Sequence, residues 1–193
     1  MPPAMKTLLF DRDHSSAPLL PPELTMIADS AITGHTRPVF LPDFDSEWIA
    51  EFYLAVRISR LGKTVAEKFA SRYFDAMTVA MRLVPVTLRE NLRLAGRPDA
   101  VISIFDNALT AGTWIPSDSF KEMTEVQVNE THATLSHVSA AAAEAVAAVS
   151  RYATIKTGDL LMPYRIAPST SVTTGTHVTC SLDGNECINL KIH

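Results

Sequence analysis

A chain of 193 residues is long enough for one domain and too short for two comfortable ones, and at 47% hydrophobic and 20% charged it can bury a core. A net charge of -4 without any run of Lys or Arg argues against a nucleic-acid surface, and no apolar stretch reaches the ~18 residues of a membrane-spanning helix. Met1 to Phe10 lack the longer apolar core and cleavage site of a secretory signal, so the cytoplasm is the expected compartment.

Residues 1–40 read as an irregular N-terminal arm of a single 1–193 domain, with Pro18, Pro21 and Pro22 crowded together and short strands expected at 6–10 and 24–27. Residues 48–59 are dense in aromatic and branched side chains, the pattern of a buried strand. A turn is expected at Leu61-Gly62-Lys63, with Thr64 capping a short helix over 65–69. Residues 73–83 read as strand, with Met77, Val79 and Met81 alternating, and 87–95 as a helix stopped by Gly96 and Pro98. Short strands are expected at 102–105 and 112–115, and a longer one over 122–129 through Met123, Val126 and Val128.

Residues 140–152 form the clearest helix, rich in alanine, with Val138, Val146 and Val149 on one face. The remainder, 159–162, 177–182 and 186–192, reads as strand, with a two-residue hairpin at Asp183-Gly184. That register sets Ser181 against Glu186 and Cys180 against Cys187, a pair that suggests a disulfide or half a metal site but that the cytosol would keep as two thiols. Strands and helices do not alternate, so the expected class is α+β.

No phosphate-binding glycine loop, Cys-x-x-Cys, His-Glu-x-x-His or Gly-x-Ser-x-Gly element is present. His132 and His137 are five apart, which suits neither a helical nor a strand metal face, so both read as surface histidines. More informative is a series of phrases in fixed order: Phe40-Leu41-Pro42-Asp43-Phe44, Val56-Arg57-Ile58-Ser59-Arg60-Leu61-Gly62-Lys63, Tyr73-Phe74-Asp75, Phe105-Asp106, Trp114-Ile115-Pro116 and Lys156-Thr157-Gly158-Asp159-Leu160-Leu161. In order and spacing they resemble the fumarylacetoacetate hydrolase family, in its branch of short bacterial hydroxyhepta-dienedioate isomerases and acylpyruvate hydrolases.

The resemblance implies a mixed β-sandwich roll that dimerises. It also implies, in active members, a Mg²⁺ or Mn²⁺ held by three carboxylates that stabilises the enolate formed from a β-dicarbonyl acid. At the matched positions the ligand pair Glu-x-Glu falls on Glu51 and Tyr53, and the third carboxylate on Arg82. A substrate-orienting lysine falls on Ser103, and a carboxylate-holding loop on Pro163-Tyr164-Arg165-Ile166. A lid pair His-x-x-Glu falls on Ala17 and Leu20. One carboxylate beside a phenol and a guanidinium makes a poor Mg²⁺ site.

The expectation is therefore a catalytically silent member without a cofactor, kept for binding or for pairing as a homodimer or with an active paralogue, and without nucleic-acid or membrane partners. The alternative is a metal-independent hydrolase or isomerase of β-dicarbonyl or acylpyruvate-type acids, in which Arg57, Arg82 and Arg165 hold the substrate carboxylate. Glu51, Tyr53 and Arg82 are then vestigial metal-site positions, with Arg57, Ser103, Asp106, Tyr164 and Arg165 as pocket residues. Arg82 is expected to hydrogen-bond Glu51, with the Tyr53 hydroxyl alongside.

Overall fold

A computed structural model describes residues 6–11 and 23–193. The first half of the chain forms β1 (Thr7–Asp11), β2 (Glu23–Ile27), β3 (Ile32–Gly34), β4 (Trp48–Ile58), helix α1 (Glu67–Ala70), β5 (Phe74–Pro85) and helix α2 (Val86–Leu94). The second half forms β6 (Leu109–Ala111), β7 (Ile115–Pro116), β8 (Met123–Val128), β9 (Thr131–Ser136), helix α3 (Val138–Tyr152), β10 (Leu160–Val172), β11 (His177–Leu182) and β12 (Asn185–Lys191). These make an α+β molecule of two sheets. The large one runs β2-β1-β10-β4-β5-β6-β3, with β7 also on β5, and the small one runs β12-β11-β8-β9.

The long antiparallel pair β4–β5 holds its register from Trp48↔Pro85 to Arg57↔Ala76 and forms the centre of the large sheet. Alternation along β4 sends Phe52, Leu54, Val56 and Ile58 to one face, where they meet Met77, Val79, Met81 and Leu83 of β5. That face packs against Val138, Ala142, Val146 and Val149 of α3, and against Val126, Val128, Val178, Leu182 and Ile188 of the small sheet. Each fully buried Leu, Ile, Val or Phe contributes roughly 1.5–3 kcal/mol from removal of apolar surface from water. The opposite face of β4–β5 carries a smaller cluster with Tyr53, Ala55, Ala80, Leu109 and Met162. Both faces are thus covered, which is why β4 reads as a continuous apolar run.

Local differences from expectation have local causes. Thr64 does not cap a helix: it takes a left-handed conformation at φ 51°, and α1 starts after Ala66 without a side-chain cap. Residues 100–103 form a 3-10 turn instead of a strand, because Ile102 turns inward while Val101 and Ile104 remain exposed. Of the strand expected at 112–115 only Ile115 is in strand: residues 112–114 connect β6, which precedes them, to β7, with Gly112 buried.

In β8 the inward residues are Thr124, Val126 and Val128, and Met123 is 54% exposed. β3 and β9 lacked a sequence signal, and β10 continues ten residues past Met162, through Pro163 and Pro168. The Asp183-Gly184 turn forms with both φ positive, but a bulge follows it, so Cys180 pairs with Ile188 and not with Cys187. Both cysteines are buried free thiols. Ala17 and Leu20 lie outside the described residues. Among the described residues no helix is long and apolar enough to cross a membrane.

Candidate functional site

On the face of β4 turned away from the main core, Glu51 and Tyr53 are successive side chains. Antiparallel pairing sets Arg82 of β5 directly across from Glu51 and Arg165 of β10 across from Tyr53. α2 begins immediately after β5 and brings Arg89 back over the same spot, while the 3-10 turn at 100–103 presents Ser103. Three strands and a helix therefore converge on one carboxylate, and the turn meets Arg82 beside it.

Glu51 is only 2% exposed. Its Oε2 accepts a hydrogen bond from the Tyr53 hydroxyl at 2.8 Å and lies 3.7 Å from Arg82 Nη1. Its Oε1 lies 2.7 Å from Arg165 Nη2 and accepts from Arg89 Nη1 at 3.2 Å. The expected hydrogen bond from Arg82 is thus an ion pair at longer range, and Arg165 takes the short contact. Arg82 donates instead to Ser103 Oγ at 3.0 Å, while its Nε finds no hydrogen-bond partner although buried. Arg165 also lies against Tyr53, its guanidinium carbon 5.7 Å from the ring centroid and Nη2 3.4 Å from the hydroxyl oxygen. Burial, and then the negative charge of Glu51, push the Tyr53 phenol above its ordinary value, so the hydroxyl keeps its proton to donate.

Of the remaining expected pocket residues, Arg165 reaches Glu51 and Ser103 reaches Arg82. Arg57 pairs with Asp75, Nε to Oδ1 at 2.8 Å, and lies 5.5 Å from the Trp114 ring centroid. Asp106 is exposed on the loop before β6. Tyr164, next to Arg165, packs on the opposite face against the main core; burial raises its phenol to about 12, and its hydroxyl has no partner. Arg89, on α2, is not among the expected pocket residues, since none of the matched phrases covers it. An open cavity of about 450 Å³ lies elsewhere, on the outer face of the small sheet beside Glu125, Gln127, His132 and Thr134. Among the described residues no three His, Cys, Asp or Glu side chains converge as an ion site.

The sequence profile described as fumarylacetoacetate (FAA) hydrolase C-terminal matches residues 5–189. The chain belongs to this family. Solved structures of the same fold include a fumarylpyruvate hydrolase from Pseudomonas aeruginosa in complex with Mn²⁺ and pyruvate. It is 17% identical, with a TM-score of 0.79 over 97% of this chain and 88% of that one. A 2-hydroxyhepta-2,4-diene-1,7-dioate isomerase from Mycobacterium marinum is 22% identical, with a TM-score of 0.79 over 98% and 75%. A 5-carboxymethyl-2-hydroxymuconate delta-isomerase from Mycobacterium smegmatis is 18% identical, with a TM-score of 0.78 over 98% and 77%. At these identities the likeness is one of fold. Comparison with curated proteins found no match.

The phrases typical of the fumarylacetoacetate hydrolase family hold one another in this chain. Phe44 meets Phe105 edge-to-face at 5.4 Å between centroids, and the Arg57–Asp75 pair joins two other phrases. Asp159, fully buried, accepts from the Lys6 ammonium group and from the Lys156 backbone N–H at 2.7 Å.

Proposed function

We propose that this member of the fumarylacetoacetate hydrolase family does not run metal-dependent chemistry and serves instead as a binding protein, with the Glu51 face as its binding site. The observation that carries the reading is the occupation of both Glu51 oxygens, Oε2 by the Tyr53 hydroxyl and Arg82, Oε1 by Arg89 and Arg165. A hard dication needs several oxygen ligands. Among the described residues one carboxylate is on offer, and three cations stand within 4 Å of it. The donor set does not suit Mg²⁺ or Mn²⁺, and Arg82 beside the carboxylate adds direct repulsion.

The test is calorimetric titration with Mg²⁺ and Mn²⁺ alongside an acylpyruvate turnover screen. Neither heat nor turnover is expected, and a saturable metal heat with metal-dependent turnover would sink the reading. The alternative of a metal-independent hydrolase or isomerase draws support from the arginines at the site, since a guanidinium fork matches a carboxylate substrate. Its signature is turnover that persists in excess EDTA.

A further inference from the structure

The arrangement of charge at the Glu51 face gives the ligand of that proposed binding site a chemical class. We propose that Arg82 and Arg89 bind a small oxyanion, a carboxylate or phosphate group, and that Glu51 beside them is a built-in competing charge that limits its affinity. The inference rests on the binding reading above.

The contacts around Glu51 are unequal. The short ones, 2.7 Å and 2.8 Å, belong to Arg165 and Tyr53. Arg89 and Arg82 take the longer ones, at 3.2 Å and 3.7 Å. Arg82 is only 6% exposed, and a guanidinium has five N–H donors to satisfy. Its one short hydrogen bond goes to Ser103, Nη1 stands off at ion-pair range, and Nε has no hydrogen-bond partner. Buried donors left unmade are costly.

With Arg165 set aside, Arg82 and Arg89 share a single negative charge among the described residues, which leaves a surplus positive charge there under low-dielectric cover. Its surroundings suit an anion. The Arg89 side chain is 40% exposed and supplies the approach from water, while Arg82 forms the desolvated inner end. Ser103 accepts from Arg82 through its oxygen and keeps its own proton to donate onward. An incoming oxyanion would give Arg82 and Arg89 the oxygen contacts they lack, against repulsion from Glu51.

That repulsion provides the test. The full-length protein is titrated by calorimetry in excess EDTA and low chloride, with pyruvate, malonate and inorganic phosphate as separate probes. Wild-type protein is expected to bind at least one probe. Glu51→Gln, which removes a like charge but keeps the side-chain shape, is expected to bind it at least about tenfold more tightly. Arg89 lies on a partly exposed helix face, and Arg89→Gln is expected to leave the fold intact, checked by urea unfolding, and to weaken binding about tenfold or more.

Binding of carboxylates alone, of phosphate alone, or of both supports the proposal and identifies which oxyanion the site takes. Absence of binding in both wild type and Glu51→Gln overturns it. So does a Glu51→Gln variant no tighter than wild type, or an Arg89→Gln variant of unchanged affinity. Because every titration is free of metal, this inference can fail while the reading of lost metal chemistry stands, and that reading can fail on the metal titrations alone.

Discussion

A carboxylate taken out of water needs its charge matched and its lone pairs filled, and Glu51 achieves this with donors from three strands and a helix. The Tyr53 hydroxyl is the uncharged member of the set, so Tyr53→Phe removes a donor without altering charge. The expected loss is roughly 1.5–3 kcal/mol in urea unfolding, the worth of a hydrogen bond to a charged group. Arg82→Asp alone should not create metal affinity, because Tyr53 still stands where a second carboxylate belongs. The double variant Tyr53→Glu with Arg82→Asp is the sharper case, and calorimetry with Mn²⁺ is expected to detect binding there alone.

Alkaline pH probes Tyr53 on this face and Tyr164 on the other. Tyr53 and Tyr164 both have phenols raised by burial, Tyr164 to about 12. A proton held more tightly in the folded state stabilises it below the ordinary phenol value and is lost as pH rises. Stability should therefore fall from about pH 10 towards 12, with part of the tyrosinate absorbance appearing only at the upper end. Much of the site was legible residue by residue, since matched spacing and strand pairing gather Glu51, Tyr53, Arg82, Ser103 and Arg165. What spacing does not encode is reach: Arg165 comes closer than Arg82, and Arg89 enters from a helix that sequence pattern leaves on the surface.

At the level of elements, Gly112 marks the joint between the sheets. Its N–H donates to Val79 O at 3.0 Å, the next N–H donates to Cys187 O at 2.8 Å, and an added Cβ would stand 2.7 Å from that same Cys187 oxygen. Backbone cannot yield as a side-chain tip can, so Gly112→Ala is expected to cost about 1–3 kcal/mol in thermal or urea unfolding. The long strands and α3 were legible because apolar runs and alanine-rich periodicity are local signals. β9 and β3 were not, since β9 buries none of its side chains fully and β3 is three residues long. The bulges of β10 against β4 and of β12 after its turn answer to tertiary fit and leave no mark in composition. The start of α2 is similar: Leu88 N–H is satisfied at 2.7 Å by Asp45, more than forty residues earlier.

For the whole molecule, the family resemblance leads us to propose assembly as a dimer, homotypic or with an active paralogue. Light scattering of the purified chain at micromolar concentration is expected to give twice the 21.1 kDa of one copy, and a monomer would count against pairing. The two cysteines offer a different measurement. Both thiols are almost wholly enclosed between the sheets, and burial raises their pKa, further still for Cys180 through its neighbour Cys187. A thiol so protonated and enclosed does not react with alkylating reagents until the packed sheets come apart. Alkylation under native conditions should then run at the pace of that opening, and its acceleration by urea should follow the unfolding slope. The protein thus carries its own clock for rare excursions from the folded state, readable by mass spectrometry without any introduced label.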